Sequence, residues 1–124
     1  MSTPPTQPSY APARLAGGPL LLLAGQGPVD SGGQLVGADD ADAQAAQVFD
    51  NIVAVLAEHG ASLSDLVRLT IFVAERTDIA AIQAVRARLL APPYPAATIV
   101  VAGLVDPSWR LEIEATAVLP VHPA

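Results

Sequence analysis

The chain has 124 residues, 52% apolar and 15% charged, with 12 acidic against 6 basic residues and a net charge of −6. This length supports a single domain with one hydrophobic core. The acidic balance argues against a nucleic-acid partner, because sequence-independent binding needs clustered Lys and Arg, and the lack of cysteine excludes disulfides and thiolate catalysis. With no signal-like segment and no apolar run long enough for a bilayer, we expect a soluble cytoplasmic protein without a membrane partner.

The two ends of the chain differ in composition from the middle. Residues 1–9 are rich in Pro, Ser and Thr and predict a disordered leader. Residues 121–124 are expected to form a loose C-terminal tail. The sequence therefore predicts one domain over residues 10–120.

Short strands are predicted at the start of this domain. Residues 10–15 are compatible with an edge strand, which Pro12 interrupts. Residues 20–24 predict a buried strand, and residues 34–36 a second strand that follows a hairpin turn. The domain is therefore expected to open with hairpin-linked strands.

Two helices flank a further predicted strand over residues 66–73. The first is capped by Asp39 or Asp40 and runs to about residue 59, where Gly60 suits a left-handed end. The second begins at Thr77 or Asp78 and runs to about residue 90. Its predicted apolar stripe consists of Ile79, Ile82, Leu89 and Leu90.

Two strands end the domain. Residues 99–102 are uninterruptedly apolar, which is typical of a strand buried on both faces. Residues 110–118 alternate and place Glu112 and Glu114 on one face. Solvent exposure and the lining of a polar pocket both explain this carboxylate pair, and the pattern alone does not choose between them.

The elements together predict an α+β fold with a mixed β-sheet, two helices packed on one face, and the order ββ(β)αβαββ. Two helices cover only one face of such a sheet, yet residues 20–23 and 99–102 are apolar on both faces. An uncovered second face would expose more apolar area than monomers usually tolerate. We therefore expect an oligomer whose subunits cover this face.

Several motifs occur in a specific order and spacing. They are Tyr10, Ala24-Gly25-Gln26-Gly27-Pro28, Phe49-Asp50-Asn51, Leu69-Thr70-Ile71-Phe72-Val73 and Leu111-Glu112-Ile113-Glu114-Ala115. Taken together, the chain resembles the Rid family (RidA/YjgF, formerly grouped as endoribonuclease L-PSP proteins) over residues 10–118. This resemblance implies a chorismate-mutase-like (YjgF-like) fold and a homotrimer.

The resemblance also implies a chemistry. Rid deaminases hydrolyse enamines and imines to 2-oxo acids and ammonia in clefts between subunits. Similarity to them implies that Glu112 holds and deprotonates the attacking water, and that Tyr10 contributes a hydroxyl hydrogen bond from the same cleft. Residues with an implied role in substrate binding are Gly25, Gln26, Gln83, Ala97 and Thr98.

One position departs from the family pattern. Deaminases carry an arginine in a P-A-R-S/T motif, and this guanidinium pairs with the substrate carboxylate. Here the motif reads Pro95-Ala96-Ala97-Thr98, so Ala97 replaces the arginine. The remaining arginines lie elsewhere in the sequence, and Arg110 reaches a cleft only if its turn allows it. We therefore expect weak hydrolysis of 2-iminopropanoate-type substrates and a gain on Ala97→Arg.

No cofactor is expected. His59 ends a helix and His122 lies in the tail, and neither has a metal-ligand partner at useful spacing. Gly25-Gln26-Gly27 is not a phosphate loop, because the chain contains no lysine. We expect neither a metal nor an organic cofactor.

Three functions remain open. The first is hydrolysis of imines, enamines or related small reactive metabolites by water activation, with an atypical substrate preference. The second is a non-catalytic trimer that binds or senses a small ligand. The third is a protein-interaction role. Tyr10, Gly25, Gln26 and Glu112 favour the first two over the third, and the alternative to a catalytic role of Glu112 is an inter-subunit hydrogen bond alone.

Overall fold

The computed structural model describes residues 8–120. Residues 1–7 of the predicted leader and residues 121–124 of the predicted tail, with His122, lie outside the described residues. Ser9, which the sequence analysis assigns to the leader, is 7% exposed and belongs to the folded domain.

The described chain forms a sheet covered by helices. The elements are β1 (Leu20–Gln26), α1 (Ala41–Glu58), β2 (Leu66–Val73), α2 (Ile79–Leu89), β3 (Ala96–Val101) and β4 (Leu111–Val118), with 3₁₀ turns at Leu63–Asp65 and Arg76–Asp78. The sheet order is β1-β4-β2-β3, with β2 and β3 parallel and the other pairs antiparallel. A parallel pair needs a crossover, which α2 supplies. The predicted α+β fold with a mixed sheet and two helices is confirmed.

The predicted order ββ(β)αβαββ contains short strands that the described residues do not form. Residues 10–15 contribute only a parallel bridge from Ala11 to Ala96, and residues 34–36 only a bridge from Leu35 to Val29. Pro12 has no N–H to continue the first pairing. In the second, the Asp30 carboxylate accepts the Gln34 N–H, so this amide is used in a turn. The observed order is therefore βαβαββ.

Both helices begin at aspartates. Asp40 caps α1, since its carboxylate accepts the Ala43 N–H at 3.1 Å, and Gly60 follows the helix end with a φ of 71°. Asp78 occupies the N-cap position of α2, but its carboxylate makes no capping bond. It binds Arg110 instead, at 2.9 Å.

The hydrophobic core lies between the helices and one face of the sheet. On β4 the buried side chains alternate as predicted: Leu111, Ile113, Ala115 and Ala117. On β2 the burial is carried by Leu69, Ile71 and Val73, while a register shift between Leu66 and Arg68 buries Leu66 in place of Val67. The helices therefore cover one face, as predicted.

The other face of the sheet, called here the open face, is not covered by any element of the described chain. It consists of Leu20, Leu22, Arg68, Thr70, Phe72, Thr98, Val100, Glu112, Glu114 and Thr116. Leu20 is 59% exposed and Leu22 is 73% exposed. The predicted burial of residues 99–102 on both faces does not occur within one subunit, because β3 is an edge strand whose Val100 and Val101 are more than a third exposed. In the part of the chain that the structure describes, no helix has the length and apolar character to cross a membrane.

Candidate functional site

Glu112 projects from β4 onto the open face, where it lies against the end of β1. It is half-buried, whereas Glu114 is exposed. A Cβ built on Gly25 would lie 2.0 Å from Oε2 of Glu112, so the carboxylate occupies the space that any side chain at residue 25 would need. The two carboxylates of β4 are therefore distinct, and only Glu112 is seated against a backbone.

A second group of side chains lines a cavity at the β3 edge of the sheet, called here the edge pocket. It has a volume of about 230 Å³ and is lined by Tyr10, Gln83, Arg86, Ala97 and Ile99. Two elements place these residues together. The N–H of Ala11 donates to the carbonyl of Pro95 at 2.9 Å, which holds the amino-terminal segment along the start of β3. Ala97 pairs with the buried Leu69 and so faces the helices.

Arg86 is the cation of the edge pocket. It extends from α2, is 3% exposed, and its Nε donates to the hydroxyl of Ser9 at 2.9 Å. Its Cζ lies 5.6 Å from the centroid of the Tyr10 ring, within the range of a cation–π contact. Burial lowers the pKa of Arg86 from its ordinary value, and Tyr10 partly offsets this. The guanidinium nevertheless stays charged near neutral pH, because arginine does not deprotonate in proteins.

The residues with predicted site roles fall into two places in one subunit. Tyr10, Gln83 and Ala97 gather in the edge pocket, and Gly25 and Glu112 meet at the open face. The predicted common cleft for Tyr10 and Glu112 is therefore absent from a single subunit. The reason is geometric: β2 separates β3 from β4, and Ala97 and Glu112 project from opposite faces of the sheet.

The two other residues with predicted binding roles make local contacts. Thr98 projects onto the open face, and its hydroxyl accepts from Arg68 at 2.8 Å. Gln26 turns back on its own strand, where its Nε2 donates to the carbonyl of Ala24 at 3.0 Å. Neither lines the edge pocket.

Arg110 is an anchoring residue and not a cation of the edge pocket. Its guanidinium binds Asp78 at 2.9 Å and approaches Asp39 at 3.5 Å. The hydrogen bond to Asp78 raises the pKa of Arg110, with the charges of Asp78, Asp39 and Glu75 adding to the effect. Its backbone N–H donates to Oε1 of the buried Gln44 at 2.7 Å. These bonds tie the start of β4 to both helices.

Sequence reasoning missed Arg86 and Ser9. A signal was present, because Arg86 is four residues after Ile82 and three before Leu89, which continues the apolar stripe of α2. The structure buries Ile82, Val85 and Arg86 together on this face. A charged residue within an apolar stripe is itself a sign of a buried polar site.

Within residues 8–120, no three His, Asp or Glu side chains gather in a way that suits a metal ion. The Nδ1 atom of His59 lies 3.1 Å from the carbonyl of Val55, one turn earlier in α1. The contact is local to the helix end.

Comparison with known proteins places the chain in a class of small α+β proteins. The family model described as Endoribonuclease L-PSP matches residues 2–119. The chain therefore belongs to this family, the Rid (RidA/YjgF) family, as the sequence motifs predicted.

Solved structures of similar proteins have the same fold. The Rid-family protein YyfB from Yersinia pestis superposes with a TM-score of 0.78 at 35% identity, over 96% of each chain. Yeast Mmf1 gives a TM-score of 0.76 at 30% identity, over 94% of this chain and 92% of its own. The chorismate-mutase-like fold is thereby confirmed.

Two of the similar curated proteins carry the names of enzymes. A 3-aminoacrylate deaminase, RutC, from Acinetobacter baylyi is 34% identical over 115 residues, covering 93% of this chain and 90% of its own. A 2-iminobutanoate/2-iminopropanoate deaminase from Salmonella typhimurium is 32% identical over 104 residues, covering 82% of this chain and 80% of its own. Deaminases of enamines and imines thus occur among the relatives.

Proposed function

We propose that this protein hydrolyses the C=N bond of small imines, and of enamines after tautomerisation, and releases ammonia and a carbonyl product. Family membership and the deaminase names of two relatives support the reaction class. The observation that carries the proposal is the half-buried carboxylate of Glu112, seated against Gly25 on the open face. A carboxylate in this position suits the activation of a water molecule.

The proposed reaction begins with water bound to Glu112. The carboxylate takes a proton as the water oxygen bonds to the imine carbon, and the π electrons of C=N move to nitrogen. Glu112 returns this proton to the nitrogen, which gives a tetrahedral intermediate with one hydroxyl and one amino group. The hydroxyl proton then passes to the amino nitrogen as the C=O bond forms and ammonia leaves. One water is consumed and one ammonia is released for each imine, with no oxidant or reductant required.

The proposed catalytic unit is a cleft between subunits of a homotrimer. Within one subunit, Glu112 and Tyr10 belong to different surfaces, so a complete site needs a second copy that brings an edge pocket to an open face. The exposed Leu20, Leu22 and Val100 support this assembly, because they give the open face an apolar surface to bury.

The proposed substrate preference differs from that of a relative with the strand arginine. Ala97 lines the edge pocket and has no group that pairs with a carboxylate. If the substrate has a carboxylate, the cation that pairs with it must come from an element other than β3. The preference is therefore expected to depend on the other residues of the edge pocket.

Glu112→Gln tests the proposal, with Glu114→Gln as the matched control. Both changes remove a carboxylate from the same face of β4, and glutamine keeps the shape and most hydrogen bonds of glutamate. We measure ammonia released from 2-iminopropanoate and 2-iminobutanoate, each generated in situ by an amino-acid oxidase. We expect at least a roughly tenfold loss of kcat/KM for Glu112→Gln and little change for Glu114→Gln. Equal turnover of wild type and Glu112→Gln, with both intact as oligomers, would refute the role of Glu112.

A second candidate is a trimer that binds a small ligand without converting it. The replacement of the strand arginine by Ala97 favours this alternative. It predicts saturable ligand binding at the edge pocket with no ammonia release above the uncatalysed rate. The same assay, run beside a binding titration, separates the two candidates.

A further inference from the structure

The edge pocket contains a buried cation without an anionic partner in its own subunit. Within residues 8–120, the ion pairs of the structure involve Arg110 and not Arg86. The hydrogen bond of Arg86 runs from Nε to the neutral hydroxyl of Ser9. Of the five N–H donors of a guanidinium, this bond uses one.

An unpaired buried guanidinium is costly. Removing a charge from water is unfavourable unless hydrogen bonds and an opposite charge compensate for the lost hydration. The ring of Tyr10 at 5.6 Å offsets part of this cost through a cation–π contact, but it carries no negative charge at neutral pH. The environment of Arg86 therefore favours binding of an anion that pairs with the guanidinium and accepts its unused N–H donors.

The contacts of Arg86 also orient it. Because Nε is fixed on Ser9, the two terminal nitrogens form the free end of the planar group, and Arg86 lines the edge pocket together with Gln83 and Ala97. The side chain of Ala97 in this lining is only a methyl group. Two parallel N–H donors match the two oxygens of a carboxylate.

We propose that Arg86 binds the substrate carboxylate, and that the cation absent from strand position 97 is supplied from helix α2. The substrate class is then a small 2-imino or 2-enamino acid. This assignment of substrate class rests on the proposed function, whereas the binding of a carboxylate by Arg86 does not.

Carboxylate binding is measured without catalysis. Pyruvate and its neutral amide, pyruvamide, are titrated separately into the intact oligomer and followed by NMR. Wild type is expected to bind pyruvate more tightly than pyruvamide. Arg86→Gln is expected to weaken pyruvate binding by roughly ten- to a hundredfold and to leave pyruvamide binding nearly unchanged, since only pyruvate loses a charge-assisted bond. Arg88→Gln, an exposed arginine two residues along the same helix, is the matched control and should change neither.

Two further variants separate binding from structural support. Arg86→Lys keeps the charge but loses the planar fork, so its pyruvate affinity should fall between those of wild type and Arg86→Gln. The double variant Arg86→Gln/Ala97→Arg returns a guanidinium to the pocket from the strand and should recover pyruvate binding. A purely structural role of Arg86 predicts no recovery. If Arg86→Gln does not assemble, Arg86→Lys and the double variant decide the question.

The proposal is overturned if wild type does not prefer pyruvate to pyruvamide, or if an assembled Arg86→Gln binds pyruvate as wild type does. Either result would remove Arg86 from carboxylate binding. Failure of the proposed hydrolase function would give a different result from failure of this inference. A protein that binds pyruvate through Arg86 and releases no ammonia from imines retains this inference and loses the hydrolase assignment.

Discussion

The carboxylate of Glu112 occupies the space beside the Cα of Gly25, across the antiparallel pair of β1 and β4. A Cβ on residue 25 would lie 2.0 Å from Oε2 and 2.8 Å from Cδ of Glu112. Gly25 is not among the glycines with a positive φ. The requirement for glycine at this position is therefore one of space and not of backbone conformation.

Gly25→Ala is expected to displace the Glu112 carboxylate and to lower kcat/KM by at least roughly tenfold, with little loss of stability. The stability cost is small because the contacted atoms are the far end of a flexible side chain, which rotates away. Gly103→Ala is the matched control, since a Cβ there meets no atom within 4 Å. Steady-state kinetics and thermal unfolding of both variants check the prediction. A large fall in melting temperature would show instead that Gly25 is needed for folding.

Mixed oligomers test whether the proposed site is shared between subunits. Glu112→Gln and Arg86→Gln are expected to be poorly active alone. If one subunit supplies Glu112 and its neighbour supplies Arg86, one of the three clefts in each mixed trimer combines both intact residues, so activity should recover to roughly a third of the wild-type value. Co-expression with two different tags and purification through both isolates the mixed species for the ammonia assay. Mixed trimers without recovered activity would place both groups in one subunit's site.

Arg110→Gln is expected to lower stability and to leave carboxylate binding unchanged. The change removes the 2.9 Å ion pair with Asp78 and leaves this carboxylate, which is 13% exposed, without its guanidinium partner. We expect the melting temperature to fall by a few degrees. The pyruvate titration of the same variant should match wild type. Loss of pyruvate affinity in an assembled Arg110→Gln variant would contradict the distinction between an anchoring and a binding arginine.

Acid sensitivity is predicted at the turn before β4. Hydrogen bonds from the side chain and then the backbone of Ser108 hold the pKa of Asp106 below its ordinary value. A group with a lowered folded pKa stabilises the protein above its unfolded pKa, and this contribution is lost as the pH falls through the folded pKa. Below about pH 4, wild type should therefore lose stability more steeply than Asp106→Asn, which keeps an acceptor but does not titrate. Melting temperatures at several pH values check this, with the exposed Asp50→Asn as control; parallel curves for wild type and Asp106→Asn would contradict it.

Local patterns accounted for most of the fold. The alternation on β4 predicted which of its residues are buried, because side chains of a strand alternate whatever its partners are. The cap at Asp40 and the end at Gly60 are likewise local and were predicted. The strand predicted at residues 34–36 was wrong because the Gln34 amide bonds to the Asp30 side chain, a competition that composition does not reveal.

The candidate site was predictable only in part. The resemblance predicts Glu112 and Tyr10 in one cleft between subunits. In a single subunit the two residues lie on different surfaces, so their meeting across subunits stays a prediction. Arg86 was missed because it lies away from the strand motif in the sequence and was not included in the predicted apolar stripe of α2. Its contact with Ser9 spans 77 positions in the sequence, and such a tertiary contact leaves no local pattern.

The amino-terminal segment, residues 9–11, forms one side of the edge pocket, which Tyr10 lines. Ser9 holds Arg86 and Ala11 pairs with Ala96, so the amino-terminal segment must be docked for the pocket to exist. Occupancy of the pocket and docking of this segment are then thermodynamically linked, and a ligand that requires the docked form stabilises it by mass action. Protease resistance and slow amide exchange near residues 8–11 should consequently increase with ligand concentration. Tags fused to the amino terminus are expected to shift the docking equilibrium of this segment. They would thereby alter ligand affinity without contacting the ligand.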